Sequence, residues 1–218
     1  LDQRPESDTI DEKNPVIIAG FGRFGQIVGR LLHANNIGTT VLDSKPSQIE
    51  MVRRFGYKVF YGDASRLDLL HSAGAEEAKL FVLAVDDKDK ALEIAQTVRK
   101  HFPNLQIVAR SFDRRHSHEL MNLGVKVIHR ETFNSALELG ASALKLLGFR
   151  SYQAHRAALI FKHHDEKNLV DLHEHWGDEE AFLIETRLKN QDLLELLSSD
   201  EEDKEENMDH SWERRDTP

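Results

Sequence analysis

The segment from Val16 to Gly25, Val-Ile-Ile-Ala-Gly-Phe-Gly-Arg-Phe-Gly, constrains the fold of this chain more than any other part of its sequence. A short apolar run ends in Gly-x-Gly-x-x-Gly, and a helical pattern with Ile27 and Leu31 on one face follows at once. Glycines let a backbone turn tightly and approach a ligand, while a helix N-terminus directs N–H groups and a positive dipole end at an anion. The segment therefore predicts a strand, a phosphate-binding loop and a helix.

Asp43 closes the second apolar run, Thr39–Asp43. A carboxylate at the tip of the second strand accepts hydrogen bonds from both ribose hydroxyls and repels a 2′-phosphate. The pattern favours NAD(H) or another adenosine nucleotide over NADP(H), although the nearby Lys45 weakens that preference. The alternative is that Asp43 is a turn or N-cap residue before Pro46.

Strand and helix patterns alternate from residue 15 to about residue 148. The predicted strands are 16–20, 38–43, 58–61, 80–85, 106–110 and 125–129, and the predicted helices are 24–35, 46–55, 66–72, 88–101 and 113–122. Such alternation is typical of parallel strands joined by crossover helices. We expect an α/β fold, a Rossmann-like doubly wound parallel sheet, with a C-terminal and mostly helical extension.

Four regions follow from the patterns along the chain. Residues 1–14 are polar and indicate a linker, and because the sequence starts at Leu1 without a methionine, it suggests a fragment or a cloning boundary. Residues 15–148 form the predicted nucleotide-binding domain, which ends in an apolar helix, 131–147, with Gly148 as its stop. Residues 149–198 are predicted to be mostly helical, with one possible short strand pair, and residues 199–218 to be an acidic, disordered tail.

Composition excludes several classes of function. The formal net charge of −9 argues against nucleic-acid binding, which needs a basic face. The chain has no cysteine, so disulfides, thiolate nucleophiles and cysteine-ligated zinc are excluded. No apolar stretch approaches the roughly 20 residues of a membrane span, and no signal peptide is visible, so we expect a cytosolic chain.

Two further loops belong to the same expected crevice, because the carboxyl edge of an open α/β sheet holds the ligand. Gly62 follows the third strand and would let the backbone approach an adenine, while Asp63 would contact the ligand or cap the helix that starts near Arg66. Asp86 follows the fourth strand, in the run Asp86-Asp-Lys-Asp89. N-capping explains this run better than a metal site does.

Arginines follow the last two strands. Arg110, Arg114, Arg115 and Arg130 are expected at the far half of this edge, where they would bind an anion or form a local ion-pair network. Arg130 followed by Glu131 suits an anionic ligand that also carries an amine. None of the twelve histidines has the spacing of a metal site, so no metal is predicted.

Five segments together resemble the KTN domain, also named RCK or TrkA-N, which regulates potassium channels and transporters. They are Gly20–Gly25, Val41–Asp43, Tyr61–Asp63, Val108–Arg110 and Val127–Phe133, within residues of about 15–148. Within this family the sequence is most similar to the cytosolic regulatory domains of glutathione-gated potassium efflux proteins of Gram-negative bacteria.

The resemblance implies a regulatory domain at the cytoplasmic face of the bacterial inner membrane, not an enzyme. It implies NAD(H) or AMP as nucleotide, with glutathione inhibiting K⁺/H⁺ antiport and glutathione S-conjugates activating it to protect against electrophiles. The implied partners are a second copy held through helix 131–147, an upstream transmembrane antiporter domain, and a flavodoxin-like quinone oxidoreductase of the KefF type.

The residue assignments follow. The predicted nucleotide-binding residues are Gly20, Phe21, Gly22, Arg23, Phe24, Gly25, Asp43, Ser44, Lys45, Gly62, Asp63, Ala64, Val85, Asp86 and Arg110. The predicted glutathione-binding residues are Arg130, Asn134, Asp113 and Arg114, and Phe55 is a candidate contact for an S-substituent. Two alternatives are an NAD-dependent oxidoreductase and an interaction module whose nucleotide is only structural. The first needs a catalytic acid–base residue that no compact constellation supplies.

Overall fold

The computed structural model describes residues 13–45, 49, 53, 59–175, 184 and 186–198. It consists of two compact units that divide between Thr132 and Phe133. Residue 148, where the sequence pattern ends the nucleotide-binding domain, lies in the link between two helices of the second unit.

The first unit is built on one parallel sheet. Its six strands are β1 (Val16–Ala19), β2 (Thr39–Asp43), β3 (Phe60–Tyr61), β4 (Leu80–Leu83), β5 (Gln106–Ser111) and β6 (Val127–Arg130). Their order is β3-β2-β1-β4-β5-β6, and every neighbouring pair is parallel. The chain moves outward from β1 in one direction and then, from β4, in the other, so the predicted Rossmann-like doubly wound sheet is confirmed.

Helices cross between consecutive strands. They are α1 (Arg23–Ala34), α2 (Leu67–Ser72), α3 (Lys88–His101) and α4 (Arg114–Asn122). The predicted helix 46–55 falls largely outside the described residues, which include only Ile49 and Arg53 of it, both helical. Asp87 caps α3 by accepting a hydrogen bond from Lys90 N, which confirms capping in the acidic run after β4.

Alternating side chains of the strands fill two separate cores. Ile17 and Phe81 belong to a cluster on one face of the sheet, while Ile18 and Val82 belong to a cluster on the other. Successive strand residues point to opposite faces, so continuous apolar runs such as Val16–Ala19 serve both cores at once. This two-sided burial leaves the carboxyl ends of the strands as the edge available to a ligand.

The second unit is helical where it is described. It contains α5 (Phe133–Leu146), α6 (Ser151–Asp171), a 3₁₀ turn (Leu172–His175) and the helical residues 186–198. Gly148, with φ of 102°, follows α5 in the left-handed region and ends it as predicted. No strand occurs among the described residues after Arg130, so the strand pair suggested for 149–198 is not found in that part of the chain.

α5 is apolar, yet none of its residues is buried within the chain. It packs on α6, and an apolar groove of about 900 Å³ runs along the pair. The small residues Gly140, Ala141 and Ala157 line this groove, together with the large side chains of Phe133 and Phe161. Among the described helices, none has both the length and the apolar character that crossing a bilayer requires.

Candidate nucleotide-binding site

The glycine loop joins β1 to α1 in a conformation that only glycine satisfies. Gly20 has φ of 91°, and a Cβ there would lie 2.6 Å from the backbone N of Val85. A Cβ on Gly25 would lie 2.1 Å from the carbonyl oxygen of Gly20. The first glycine therefore makes the turn, and the third lets α1 start against it, so the free N–H groups of the first helical turn open at the sheet edge.

Asp43 fixes the position of this loop. The backbone N–H of Phe21 donates to Oδ2 of Asp43, and the backbone N–H of Lys45 donates to Oδ1, both at 2.8 Å. Asp43 is only 6% exposed, and each of its oxygens keeps further acceptor capacity. Its carboxylate is thus oriented and placed beside a helix N-terminus, as binding a ribose diol requires.

An open cleft of about 400 Å³ lies along this edge. The residues that line it come from the ends of β1 to β4 and from α3: Gly20, Gly22, Leu42, Asp43, Ser44, Lys45, Gly62, Asp63, Ala64, Ala84, Val85, Asp86, Lys90 and Ile94. The loops that sequence analysis assigned to one crevice therefore share one cleft.

Asp63 forms the wall of the cleft after β3. Its Oδ1 accepts from the backbone N and the hydroxyl of Ser65, at 2.9 and 2.8 Å, and its Oδ2 accepts from Lys90 Nζ at 3.0 Å. Burial would raise the pKa of Asp63, but these hydrogen bonds outweigh it and hold the pKa below its usual value. Asp63 does not cap α2, whose N-cap is Arg66, because Asp63 forms a local turn with Ser65 instead.

A chain of ion pairs runs from the cleft toward β6. Lys45 Nζ lies 3.0 Å from Asp86 Oδ2, and Arg110 Nη1 lies 2.8 Å from Asp86 Oδ1. Arg110 Nη2 lies 2.7 Å from Glu131 Oε2, and Nη1 also donates to the carbonyl of Ala84 at 3.1 Å. The hydrogen bond from Arg110 lowers the pKa of Asp86, and Lys45 lowers it further.

Arg110 is therefore held inside the fold. Its side chain is 4% exposed and lies between two aromatic rings, with Cζ 4.5 Å from the ring centre of Phe112 and 5.5 Å from that of Phe24. Its two terminal nitrogens donate to Asp86, Glu131 and the carbonyl of Ala84, and the expected contact of Arg110 with the nucleotide stays a prediction. Arg110 and Glu131 form a local ion-pair network with Asp86, which is one of the two alternatives that the sequence analysis gave for the arginines.

The remaining predicted nucleotide residues divide into two groups. Phe21, Arg23, Phe24 and Gly25 are not among the described residues that line the cleft. Phe21 contributes its backbone N–H to Asp43 and buries its ring, and Gly25 packs on Gly20. Arg23 is exposed at the first position of α1. The predicted residues that line the cleft itself are Gly20, Gly22, Asp43, Ser44, Lys45, Gly62, Asp63, Ala64, Val85 and Asp86.

Three of the four residues predicted to bind glutathione belong to the first unit, at the end of β6 and the start of α4. Arg130 pairs in register with Ser111 and is partly buried. Asp113 caps α4 by accepting from His116 N at 2.8 Å, and its second oxygen forms an ion pair with Lys88. Arg114 begins α4, whereas Asn134 is exposed on α5 in the second unit. Phe55 lies outside the described residues.

Lys90 and Ile94 are cleft residues that sequence reasoning missed. Both lie on the inner face of α3, four residues apart, so one helix face brings them to the cleft. One sequence signal could have identified Lys90, which is its position in the first turn of the helix that follows β4. The described residues contain no group of three or more side chains that could hold a metal ion.

Comparison with known proteins agrees with this geometry. The TrkA-N domain family matches residues 16–131, and the potassium efflux system KefB C-terminal domain matches residues 135–211. The glutathione-regulated potassium-efflux system protein KefC of Salmonella arizonae is 42% identical over 209 residues, which cover 95% of this chain and 34% of that protein. The chain thus spans about a third of the length of the curated relatives it matches.

Solved structures resemble the chain as well. A Kef CTD from Shewanella denitrificans, described in its AMP-bound form, is 53% identical in sequence and superimposes with a TM-score of 0.68. The match covers 74% of this chain and 99% of the Kef CTD chain. The TrkA-N domain of the inner membrane protein ybaL from Escherichia coli, at 24% identity and a TM-score of 0.53, covers 63% of this chain and 99% of its own and shares the fold. The chain therefore belongs to the TrkA-N domain family, also called KTN or RCK, and is similar to part of the potassium-efflux protein KefC.

Proposed function

We propose that this chain is the ligand-sensing regulatory domain of a potassium efflux system and that it binds an adenine nucleotide, AMP or NAD(H), in the glycine-loop cleft. The observation that carries the proposal is the buried Asp43 carboxylate, oriented by Phe21 N–H beside the start of α1. The similarity to a Kef CTD described in its AMP-bound form supports the same ligand class.

Each part of such a nucleotide has matching chemistry in the cleft. The 5′-phosphate fits the N-terminus of α1 at Gly22, where N–H groups and the helix dipole favour an anion. The ribose hydroxyls fit Asp43, and the adenine fits between Gly62–Ala64 and Val85–Asp86. The same cleft admits AMP and the adenosine half of NAD(H).

Calorimetric titration with 5′-AMP and NAD tests this proposal. We expect saturable binding of one nucleotide per chain, and no detectable heat with either nucleotide would contradict it.

Incubation with NAD and candidate substrates tests the oxidoreductase alternative. Binding without formation of NADH is the expected result, and turnover would favour the oxidoreductase.

Glutathione is the proposed regulatory ligand, with reduced glutathione inhibiting and S-conjugates activating. The tripeptide carries two carboxylates and one ammonium, which match Arg130 and Arg114 together with Asp113, and Asn134 completes the proposed set. Arg130→Ala should abolish glutathione binding, measured by calorimetry. Arg115→Ala is the matched control, because Arg115 is largely exposed and pairs with Glu119 on its own helix. Unchanged affinity in Arg130→Ala would exclude this assignment.

A homodimer held through α5 is the proposed assembly. The apolar groove along α5 and α6, with no residue of α5 buried in the chain, supports it. Ala141→Glu should shift the protein from dimer to monomer in light scattering. Gln96→Glu adds the same charge on the exposed face of α3 and should leave the assembly unchanged.

The larger assembly follows from the same proposal. We place residues 15–148 as the nucleotide-binding domain and residues 149–198 as its helical extension, with an antiporter domain upstream at the cytoplasmic face of the inner membrane. A flavodoxin-like KefF-type subunit is the proposed ancillary partner. Co-purification of this chain with such a subunit tests the pairing, and two separate peaks in gel filtration at micromolar concentration would contradict it.

A further inference from the structure

Both lysines that line the described cleft are paired with acids. The acids that line the described cleft are Asp43, Asp63 and Asp86, and the cations are Lys45 and Lys90. Lys90 Nζ lies within 3.1 Å of Asp63, the Ser65 hydroxyl and Glu93. Its ammonium is therefore engaged on the β3 side of the cleft, which leaves Lys45 as the other cation among the residues that line the described cleft.

Lys45 begins close to the position that a ribose would take. Its backbone N–H donates to Asp43 Oδ1 at 2.8 Å, so its flexible four-carbon stem starts beside the carboxylate. A lysine in this position has the reach and the charge to bind a 2′-phosphate. Its ammonium lies instead 3.0 Å from Asp86 Oδ2, across the cleft.

Asp86 is anchored from the opposite side. Arg110, whose side chain is 4% exposed, holds Asp86 Oδ1 at 2.8 Å and orients the second oxygen toward Lys45. This hydrogen bond lowers the pKa of Asp86, so the carboxylate stays ionised at neutral pH. An exposed ion pair between two mobile side chains contributes little, but here one partner is fixed before the pair forms.

We propose that Asp86 is a specificity-determining residue, which excludes 2′-phosphorylated nucleotides from the cleft by holding the ammonium of Lys45. The charge of Asp43 repels a 2′-phosphate. Asp86 holds the ammonium of Lys45, which would otherwise offset this repulsion. The inference rests on the proposed nucleotide site and adds Asp86 to Asp43 as a cause of the preference for nucleotides with a free 2′-hydroxyl.

The test compares dissociation constants for 5′-AMP and adenosine 2′,5′-bisphosphate by calorimetry at low ionic strength. The unaltered protein should prefer 5′-AMP. In Asp86→Asn the preference should shrink about fivefold, the size of one exposed charge pair, because Lys45 becomes free. Asp86→Asn with Lys45→Met should restore the original preference, and Lys45→Met alone should change it less than about twofold.

Asp89→Asn is the matched control. Asp89 is exposed in the first turn of α3. Its substitution removes the same charge at a position that has no contact with Lys45 among the described residues. An equal loss of preference in Asp89→Asn would assign the effect to long-range charge and overturn the inference, as would an unchanged preference in a folded Asp86→Asn.

Lys45→Met keeps the inference testable if Asp86→Asn does not fold. A marked loss of bisphosphate affinity in Lys45→Met alone would mean that Lys45 already serves the 2′-phosphate, which overturns the inference. Failure of the unaltered protein to bind 5′-AMP would overturn the proposed function itself. If the unaltered protein binds 5′-AMP but Asp86→Asn leaves the ratio of the two dissociation constants unchanged, only this inference is overturned.

Discussion

The backbone N–H of Phe21 donates a 2.8 Å hydrogen bond to Oδ2 of Asp43, which joins the glycine loop after β1 to the end of β2. The neighbouring strand ends are tied in the same way, since Gly20 N donates to Leu42 O at 2.8 Å and Gly62 N to Asp43 O at 2.9 Å. The carboxylate therefore positions the loop and faces the proposed ribose site at once.

Asp43→Asn tests this double role. The change keeps the size of the side chain but removes the charge that the ribose hydroxyls would meet, so affinity for 5′-AMP should fall about tenfold or more in calorimetry. Asp68→Asn is the control, because Asp68 is exposed and pairs only with Arg66 among the ion pairs of the described residues. An affinity within twofold of the original in Asp43→Asn would contradict the role.

Gly25→Ala should destabilise the first unit. The new Cβ would lie 2.1 Å from the carbonyl oxygen of Gly20, a backbone atom that cannot rotate away, and relief requires α1 to move. Overpacking of this kind costs about 2 kcal/mol in the free energy of unfolding, measured by urea denaturation. A loss below about 0.5 kcal/mol would show that α1 shifts at little cost.

Arg110→Met should destabilise the protein more than any exposed arginine does. The change leaves Glu131 without this cation and Asp86 with Lys45 alone, and because both carboxylates are partly exposed, the loss of these charged hydrogen bonds should cost about 2 kcal/mol. Arg115→Met, in which only an exposed pair with Glu119 is lost, should cost less than about 1 kcal/mol. Similar losses in the two variants would contradict the buried role of Arg110.

His116 should make the folded state sensitive to acid. It is 1% exposed, and burial lowers its pKa, so the unfolded chain binds this proton more readily than the folded chain. Its contribution to stability is present above the unfolded pKa of about 6.5 and is lost as the pH falls toward the lower folded pKa.

Urea denaturation at pH 7.5 and at pH 5.5 measures this effect. The free energy of unfolding should fall at the lower pH, and the fall should be smaller in His116→Gln, which cannot take up a proton there. His33→Gln is the control, since His33 is exposed in the last turn of α1. An identical pH dependence in His116→Gln and the unaltered protein would contradict the prediction.

Local patterns were sufficient to predict the sheet and most of the cleft. Apolar runs such as Val16–Ala19 need burial on both faces, which only a parallel sheet between helices provides. The first four runs are followed by a glycine or end at or before an acid, and parallel strands bring these ends to one edge. Gly20, Asp43, Asp63 and Asp86 could therefore be assigned to one site without knowledge of the packing.

The roles of Arg110 and Lys90 depended on distances that no spacing rule contains. Arg110 lies near the end of β5 like a ligand-binding arginine, yet it contacts the rings of Phe24 and Phe112 and pairs with Asp86. Lys90 had no motif, and its ammonium lies 3.0 Å from Asp63 Oδ2. A charged side chain can bind either a ligand or another side chain, and these partners compete for it. Strand and helix periodicity determines which partners share an edge, and only the tertiary packing decides which of them are close enough to pair.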